Sequence, residues 1–147
     1  MPQKPPSLTP TIRIPDAKGA WRVTQDEIIR ELLDFIAADD ATESAFDRLA
    51  LEIFAYQFKH NEPLRKFCLQ RGRTPRTAKS WRDIPAVPIN AFKELTLSCC
   101  APEDAERVFM TSGTTMGGLR GKSHHPNLAI YDASMTTHFK QRFMPDR

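Results

Sequence analysis

The stretch FMTSGTTMGGLRGKSHH, Phe109–His125, decides how the second half of the chain folds. Four of the chain's six glycines lie within the nine residues Gly113–Gly121, interspersed with threonine and other residues. Glycine allows positive φ and lets successive backbone N–H groups point inward, as anion-binding loops require. The neighbouring hydroxyls are further donors without negative charge. This composition therefore predicts a loop that holds phosphate.

Two cations, Arg120 and Lys122, come at the end of this loop and would neutralise phosphate oxygens. The loop differs from a Walker A motif, in which a glycine stands five residues before the glycine of Gly-Lys-Ser. Here that position, five residues before Gly121, is Met116. On composition alone, the alternative to a phosphate loop is a plain flexible turn.

The segments on either side of the loop predict one strand before it and one helix after it. ERVFMTS, Glu106–Ser112, has the composition of a short strand that leads directly into the glycines. ELTLSC, Glu94–Cys99, predicts a second short strand upstream. PNLAIYDASMTTHFKQRF, residues 126–143, predicts a helix with Asn127 as its N-cap and Pro145 beyond its end.

The first half of the chain predicts helices. Residues 1–22 are rich in proline and are expected to form a flexible lead. Thr24 and Glu27 have the spacing of a capping box at the start of a first helix. A second helix is expected at about residues 44–58, and a third after Asn61, ending at Gly72. An extended proline-containing segment, residues 80–95, connects these helices to the first strand.

Composition indicates a single soluble domain. The chain has 147 residues, 40% of them apolar and 27% charged, with a formal net charge of +3. The basic run Arg71–Arg82 lacks a nucleic-acid-binding motif around it, so we expect a solvated linker there and no nucleic-acid partner. Three cysteines and no apolar leader or membrane-spanning stretch favour a cytoplasmic location.

Several segments of the chain resemble one branch of the adenylate-forming enzymes. TSGTTMGG, Thr111–Gly118, is similar to the Thr-Ser-Gly-Thr-Thr-Gly phosphate loop of that superfamily. Ser80–Glu94, Tyr56–Cys68 and Leu128–Phe139 resemble the acyl-protein synthetases of the bioluminescence fatty-acid reductase system (LuxE-type), which are akin to phenylacetate-CoA ligases. The resemblance covers about residues 45–145.

The resemblance implies an α/β fold in which N-terminal helices precede the start of an adenylate-forming mixed sheet, with residues 23–147 as the N-terminal part of that domain. It implies a ligase that uses ATP and Mg²⁺ to activate a fatty acid, or another carboxylate, as acyl-AMP. The acyl group then passes to a protein cysteine, which makes an acyl-acceptor or reductase protein a further partner.

The family's phosphate-binding positions transfer to this chain residue by residue, with either Arg120 or Lys122 as the cation that follows the loop. The implied ATP-binding residues are Thr111, Ser112, Gly113, Thr114, Thr115, Gly117, Gly118, Arg120 and Lys122. Met116 replaces the usual sixth-position glycine, and the spacing to the cation is longer than in the common pattern. No residue of this chain is implied as catalytic or metal-binding.

The family's later motifs, including its catalytic lysine and acyl-accepting cysteine, follow the phosphate loop and have no counterpart before Arg147. We therefore expect an incomplete domain, which leaves open whether this chain is an enzyme by itself. It would be a fragment or a truncated gene product, or it would work with a downstream chain. The alternatives are a module that binds a nucleotide or phosphate without chemistry, and an inactive remnant.

Other residues near the loop allow more than one interpretation. Cys99 and Cys100 are either the end of a strand with one buried thiol or a redox or metal pair. His124 and His125 either line the nucleotide pocket, ligate a metal or lie on the surface. Lys93 and Glu94 are either a solvated or structural pair or an acid–base pair, and Phe92 is expected to pack beneath the loop.

Overall fold

The computed structural model describes residues 24–38, 41–113 and 119–144. Within these ranges the chain is helical, with one small sheet and short 3₁₀ turns at Trp81–Asp83 and Pro102–Asp104. The predicted lead at residues 1–22 lies outside the described residues. The helices and strands in chain order are α1 Gln25–Ala37, α2 Glu43–His60, α3 Glu62–Gln70, α4 Ala91–Glu94, β1 Arg107–Met110, β2 Lys122–His125 and α5 Ala129–Phe143.

The predicted capping box at the start of α1 is confirmed. The backbone N–H of Glu27 donates to Thr24 Oγ1 at 3.3 Å, and the Thr24 N–H donates to Glu27 Oε2 at 2.9 Å. These two bonds satisfy N–H groups that a helix start otherwise leaves without partners. They fix where α1 begins.

One side chain ends α2 and starts α3. The Asn61 N–H donates to Gln57 O at the end of α2, and Asn61 Oδ1 accepts from the Leu64 N–H at 3.1 Å. This confirms the predicted restart after Asn61. The start of α2 was predicted at Ser44, whereas the N-cap is Thr42, whose Oγ1 accepts from the Ala45 N–H at 3.2 Å.

Gly72 ends α3 in the left-handed conformation, as its position predicted, with φ of 65°. The Arg73 N–H donates to Cys68 O and the Gly72 N–H to Leu69 O, each at 3.0 Å. This pair of bonds is the Schellman motif, which satisfies the last carbonyl groups of a helix.

Replacing Gly72 with alanine is expected to destabilise the chain by about 1 kcal/mol, because a Cβ raises the energy of a left-handed residue. A steric clash would not contribute, since no atom lies within 4 Å of the position a Cβ would take. Urea denaturation measures this change, with Gln70→Ala in the last turn of α3 as the control. Equal midpoints for Gly72→Ala and the wild type would contradict the assignment.

The hydrophobic core lies between α2, α3 and the segment that follows them. Phe54 and Cys68 are almost fully buried, at 1% and 0% exposure, and pack with Leu64 and Ala78. Partly buried apolar side chains surround this cluster: Leu51, Phe58, Phe67, Ile84 and Val87. Of the aromatic residues in α2 and α3, Phe54 is therefore in the core and Phe58 and Phe67 pack against it, whereas Phe46 is 45% exposed.

An ionic cluster joins α1 to α2. Arg48 Nη1 lies 2.8 Å from Glu31 Oε2 and 2.8 Å from Glu52 Oε1. Glu52 is 1% exposed, and a buried carboxylate needs such a charged partner because it has lost its water. Arg48 therefore links α1 to α2.

The strand predicted at Glu94–Cys99 does not form; this prediction is wrong. Ser98 Oγ accepts a hydrogen bond from the Cys100 N–H at 3.1 Å. The Ser98 hydroxyl also donates a hydrogen bond to Cys100 O at 2.8 Å. Such local bonds between a side chain and the backbone compete with sheet hydrogen bonds and bend the chain. The segment before Ser98 also has no neighbouring strand among the described residues.

The only sheet in the described ranges is the antiparallel pair of β1 and β2, with Met110 opposite Lys122 and Arg107 opposite His125. The predicted strand before the loop is confirmed, but a strand rather than a helix follows the loop directly. The predicted helix then forms as α5, but its N-cap is Leu128 and not the predicted Asn127, whose Oδ1 accepts from the Ala129 N–H at 3.2 Å. Helices with this small sheet are compatible with an α/β class.

Helix α5 packs against α1, so the two ends of the described chain lie side by side. The proline-containing segment at residues 80–95 was predicted to be extended throughout, which is wrong, because it contains the 3₁₀ turn Trp81–Asp83 and α4. Helix α4 packs against β2, which brings this segment to the base of the glycine loop. None of the described helices has the length and apolarity needed to cross a membrane.

Candidate functional site

The glycine loop connects the two strands of a hairpin, and its ends are fastened together. Beyond the last strand pair, the Thr111 N–H donates to Gly121 O at 3.0 Å, and the Gly121 N–H donates to Thr111 Oγ1 at 2.9 Å. The Thr111 hydroxyl accepts this bond and can still donate its own hydrogen to another group. The predicted residues Thr114, Thr115, Gly117 and Gly118 lie outside the described residues.

Glycine is needed at the first turn of the loop, because Gly113 has φ of 74°. At the other end, Gly121 is buried against Phe92. A Cβ on Gly121 would lie 3.4 Å from Thr111 Cγ2 and 3.5 Å from Phe92 Cβ. Phe92 therefore packs against the base of the loop, as the sequence predicted.

A polar pocket of about 410 Å³ lies between α4 and the loop end of the hairpin. Arg120 and Lys122, the two predicted cations, both line it, and Lys93 from α4 joins them. The remaining lining residues are Phe92, Glu94, Leu95, Thr96, Met110, Leu119 and His124. Three cations around one pocket favour a ligand with several negative charges. We call it the cationic pocket.

The other described loop residues predicted to bind phosphate, Thr111, Ser112 and Gly113, are not among the lining residues of the cationic pocket. Thr111 holds the ends of the loop together, and Gly113 supplies the left-handed turn. Thr111 is thereby bound to Gly121, which lies between Arg120 and Lys122 in the chain.

Sequence reasoning missed Lys93 as a member of the site. The sequence suggested a pair with Glu94, whereas both side chains line the cationic pocket. Lys93 reaches the pocket because α4 packs against β2, a contact between segments far apart in sequence. The only sequence signal was the resemblance of Ser80–Glu94 to the segment that precedes the family's phosphate loop.

A larger, open cleft of about 600 Å³ lies on the other side of His124, and α1, α2, α5 and the end of β2 contribute to its lining. Its apolar lining includes Ile29, Leu32, Ile53 and Ile130. Volumes of roughly 300–1,000 Å³ with a mainly apolar lining and a few polar groups are typical of small-molecule sites. We call it the apolar cleft.

His124 lines both the cationic pocket and the apolar cleft. Its Nδ1 is buried and has no hydrogen-bond partner within the described ranges. His125 has partners: its Nε2 and Ser123 Oγ are hydrogen-bonded at 3.0 Å, and its ring contacts Phe109 and Tyr131. The two histidines therefore differ, one being held by its neighbours and the other lying at the boundary of two cavities.

Cys99 and Cys100 line the apolar cleft as free thiols. Burial, together with the neighbouring Cys100, raises the pKa of the Cys99 thiol to about 11. The reactive form of cysteine is the thiolate, so Cys99 is a poor nucleophile at neutral pH. Across the described ranges, no three His, Cys, Asp or Glu side chains are grouped so as to hold a metal ion.

At pH 8, iodoacetamide is expected to alkylate Cys99 in the folded chain about a hundredfold more slowly than in the chain unfolded in urea. The reason is that a pKa near 11, against the usual 9.0, leaves about a hundredth of the thiolate. Mass spectrometry of the alkylated peptide follows the reaction, which should accelerate as the pH rises toward 11. Equal rates in folded and unfolded chains would contradict the raised pKa of Cys99.

Comparison of the chain with protein-family models, with curated proteins and with solved structures found no match. The geometry of the two cavities and the chemistry of the residues that line them are therefore the structural basis for assigning a function.

Proposed function

We propose that this chain supplies the ATP-phosphate-binding part of an adenylate-forming acyl-protein synthetase. One observation carries the proposal: Lys93, Arg120 and Lys122 line a single pocket at the end of the glycine-rich loop. Phe92, which belongs to the segment Ser80–Glu94 that resembles the family, packs beside Gly121 and Thr111 at the base of the loop.

In the proposed reaction, a fatty-acid carboxylate oxygen attacks the α-phosphorus of ATP, which forms acyl-AMP and releases pyrophosphate. A cysteine thiol of an acceptor protein then takes the acyl group and AMP leaves. Arg120, Lys122 and Lys93 would bind the β- and γ-phosphate oxygens. They would stabilise the negative charge that develops on pyrophosphate as the bond breaks, which is an electrostatic role for groups fixed in advance.

The chemistry of the pocket fits a nucleotide triphosphate with its magnesium ion. Charge-assisted hydrogen bonds from arginine and lysine are strong contacts for phosphate oxygens. Mg²⁺ in such sites is bound by the phosphates, water and one or two carboxylates. Glu94 is the carboxylate among the described lining residues that would supply a ligand. Bound Mg²⁺ would neutralise charge on the phosphates.

The proposed function also implies a fold, partners and a cellular location for this chain. The described helices and hairpin would be the N-terminal part of an adenylate-forming domain, at residues 23–147, whose mixed sheet includes β1. A downstream chain and an acyl-acceptor or reductase protein would be its partners. The cytoplasm, which supplies ATP and keeps thiols reduced, would be its location.

Competition binding tests which phosphates the pocket holds. With ATP as the bound ligand, pyrophosphate is expected to compete at least about tenfold better than AMP, because AMP lacks the two phosphates that the cations would contact. Phosphate-free adenosine is the control. Competition by AMP or adenosine as strong as by pyrophosphate would contradict the proposal, since recognition would then depend on the nucleoside.

The non-catalytic module remains the second candidate, because the cationic pocket would serve it equally well. Exchange of labelled pyrophosphate into ATP, measured with and without a fatty acid, separates the two functions. Exchange that depends on the fatty acid identifies the enzyme. ATP binding with no exchange, either alone or with the downstream chain, identifies a module that binds the nucleotide without reaction.

A further inference from the structure

The apolar cleft has a mainly aliphatic lining, which the proposed binding of ATP in the cationic pocket does not use. Its helical wall presents aliphatic side chains from three helices: Ile28, Ile29 and Leu32 of α1, Ile53 of α2 and Ile130 of α5. Together with the volume of about 600 Å³, this lining suits a flexible hydrocarbon chain, since burying apolar surface is its main source of affinity.

Several polar groups on the helical side of the cleft already have partners in the protein. The Tyr56 hydroxyl donates to Gln25 Oε1 at 3.2 Å, and Asn61 Oδ1 accepts from the Leu64 N–H. These groups therefore have less capacity to bind a polar ligand. His124 also lines the cleft, and its buried Nδ1 has no partner in the described part of the chain.

The position of His124 relates the two cavities. Its side chain lines the apolar cleft on one side and the cationic pocket, with Lys93, Arg120 and Lys122, on the other. A molecule in the cleft can therefore place one end at the boundary with the cationic pocket. An anionic end is favoured there, because the three cations lie beyond the histidine and imidazole can donate a hydrogen bond to a carboxylate.

We propose that the apolar cleft between α1, α2 and α5 binds the hydrocarbon chain of a carboxylic acid, with the carboxylate at His124. The assignment rests on the proposed function, in which this carboxylate meets the ATP phosphates. It adds the binding site: the N-terminal helices hold the acyl chain, and His124 positions the reacting group next to the cationic pocket.

Calorimetry with decanoic acid and with 1-decanol tests the cleft, because the two probes share a chain and differ in the head group. The full 147-residue chain is expected to bind decanoate saturably. In His124→Ala, decanoate should lose about tenfold in affinity, the value of one charge-assisted hydrogen bond, while decanol binding should be unchanged. A parallel loss for decanol would overturn the role of His124.

A second pair of variants tests the location of the hydrocarbon chain. Ile130→Trp fills the cleft and should weaken decanoate binding at least about tenfold, since steric exclusion removes most of the apolar contact. The control is Leu69→Trp on α3, at a side chain that is 53% exposed and outside the cleft lining. Circular dichroism checks that each variant is folded. Equal losses in Ile130→Trp and Leu69→Trp would overturn the location.

ATP binding measured on the same samples separates the two proposals. If the folded chain binds ATP but not decanoate, the cleft assignment is wrong and the phosphate site stands. If it binds decanoate with the predicted variant pattern but not ATP, the cleft is an acyl site and the proposed function is wrong. Unimpaired ATP binding in Ile130→Trp is expected, because Ile130 does not line the cationic pocket.

Discussion

Replacing Phe54 with alanine is expected to lower the free energy of unfolding by about 3–5 kcal/mol. Phe54 is 1% exposed and packs in the core with Leu64, Cys68 and Ala78, and its ring lies edge-on to Phe58 at 5.9 Å. Removing the ring loses its burial and leaves a cavity that the surrounding helices can fill only in part. A loss of this size is a large share of the roughly 5–15 kcal/mol that stabilises a typical domain.

The control for Phe54→Ala is the same substitution at Phe143 in the last turn of α5, where the ring is 71% exposed. Its stacking on Phe139 is an exposed contact, so we expect a change within about 1 kcal/mol. Urea denaturation followed by circular dichroism measures both variants. Similar losses in the two would show that the core is not where α2 and α3 meet.

The second large effect is on ligand affinity. Lys122→Ala is expected to weaken ATP binding by about 10–100-fold, because a hydrogen bond to a charged group contributes about 1.5–3 kcal/mol. Lys122 is the first residue of β2 and lines the cationic pocket opposite α4. Lys122→Arg keeps the charge and should retain most of the affinity. Isothermal calorimetry measures the binding of each variant.

Lys140→Ala is the matched control for Lys122→Ala, because Lys140 is an exposed lysine in the last turn of α5 and does not line the pocket. It removes the same net charge and should leave ATP affinity nearly unchanged, since charges that are exposed and distant are screened by salt. If both lysine variants lost the same affinity, general charge and not a local contact would explain the binding of ATP.

The helix boundaries were predictable because the signals are local. Thr24 with Glu27, Asn61 with Leu64, and Gly72 with Leu69 each act over three residues, within one helical turn, so sequence order alone places the partners together. The aliphatic and aromatic positions of α2 and α3 likewise follow from helical spacing. The missed cap was Thr42, two residues before the predicted start of α2.

The sheet was less predictable because strands depend on partners. Glu94–Cys99 has the composition of a strand, yet Ser98 bends it and no described strand pairs with it. The segment Lys122–His125 has no β-branched residue. It still forms β2, because the hydrogen bonds between Thr111 and Gly121 align it with β1. Pairing across the hairpin thus outweighs intrinsic preference in this segment.

Some residues of the candidate site could likewise be predicted from local sequence, and others could not. Arg120 and Lys122 follow the glycines in sequence, so their place beside the loop could be predicted. Lys93 and the boundary position of His124 depend on the packing of α4 against β2, which no periodicity encodes. The apolar cleft similarly requires α1 and α5 to be side by side, a contact between the two ends of the described chain.

The most direct test of the central claim is calorimetry of ATP with Mg²⁺ on the purified 147-residue chain, with circular dichroism to confirm that its helices are formed. The claim is that Lys93, Arg120 and Lys122 form a phosphate site within this chain. It predicts saturable binding to one site that weakens as salt is added, because the contacts are ionic. A folded chain that binds no ATP at low salt would contradict it.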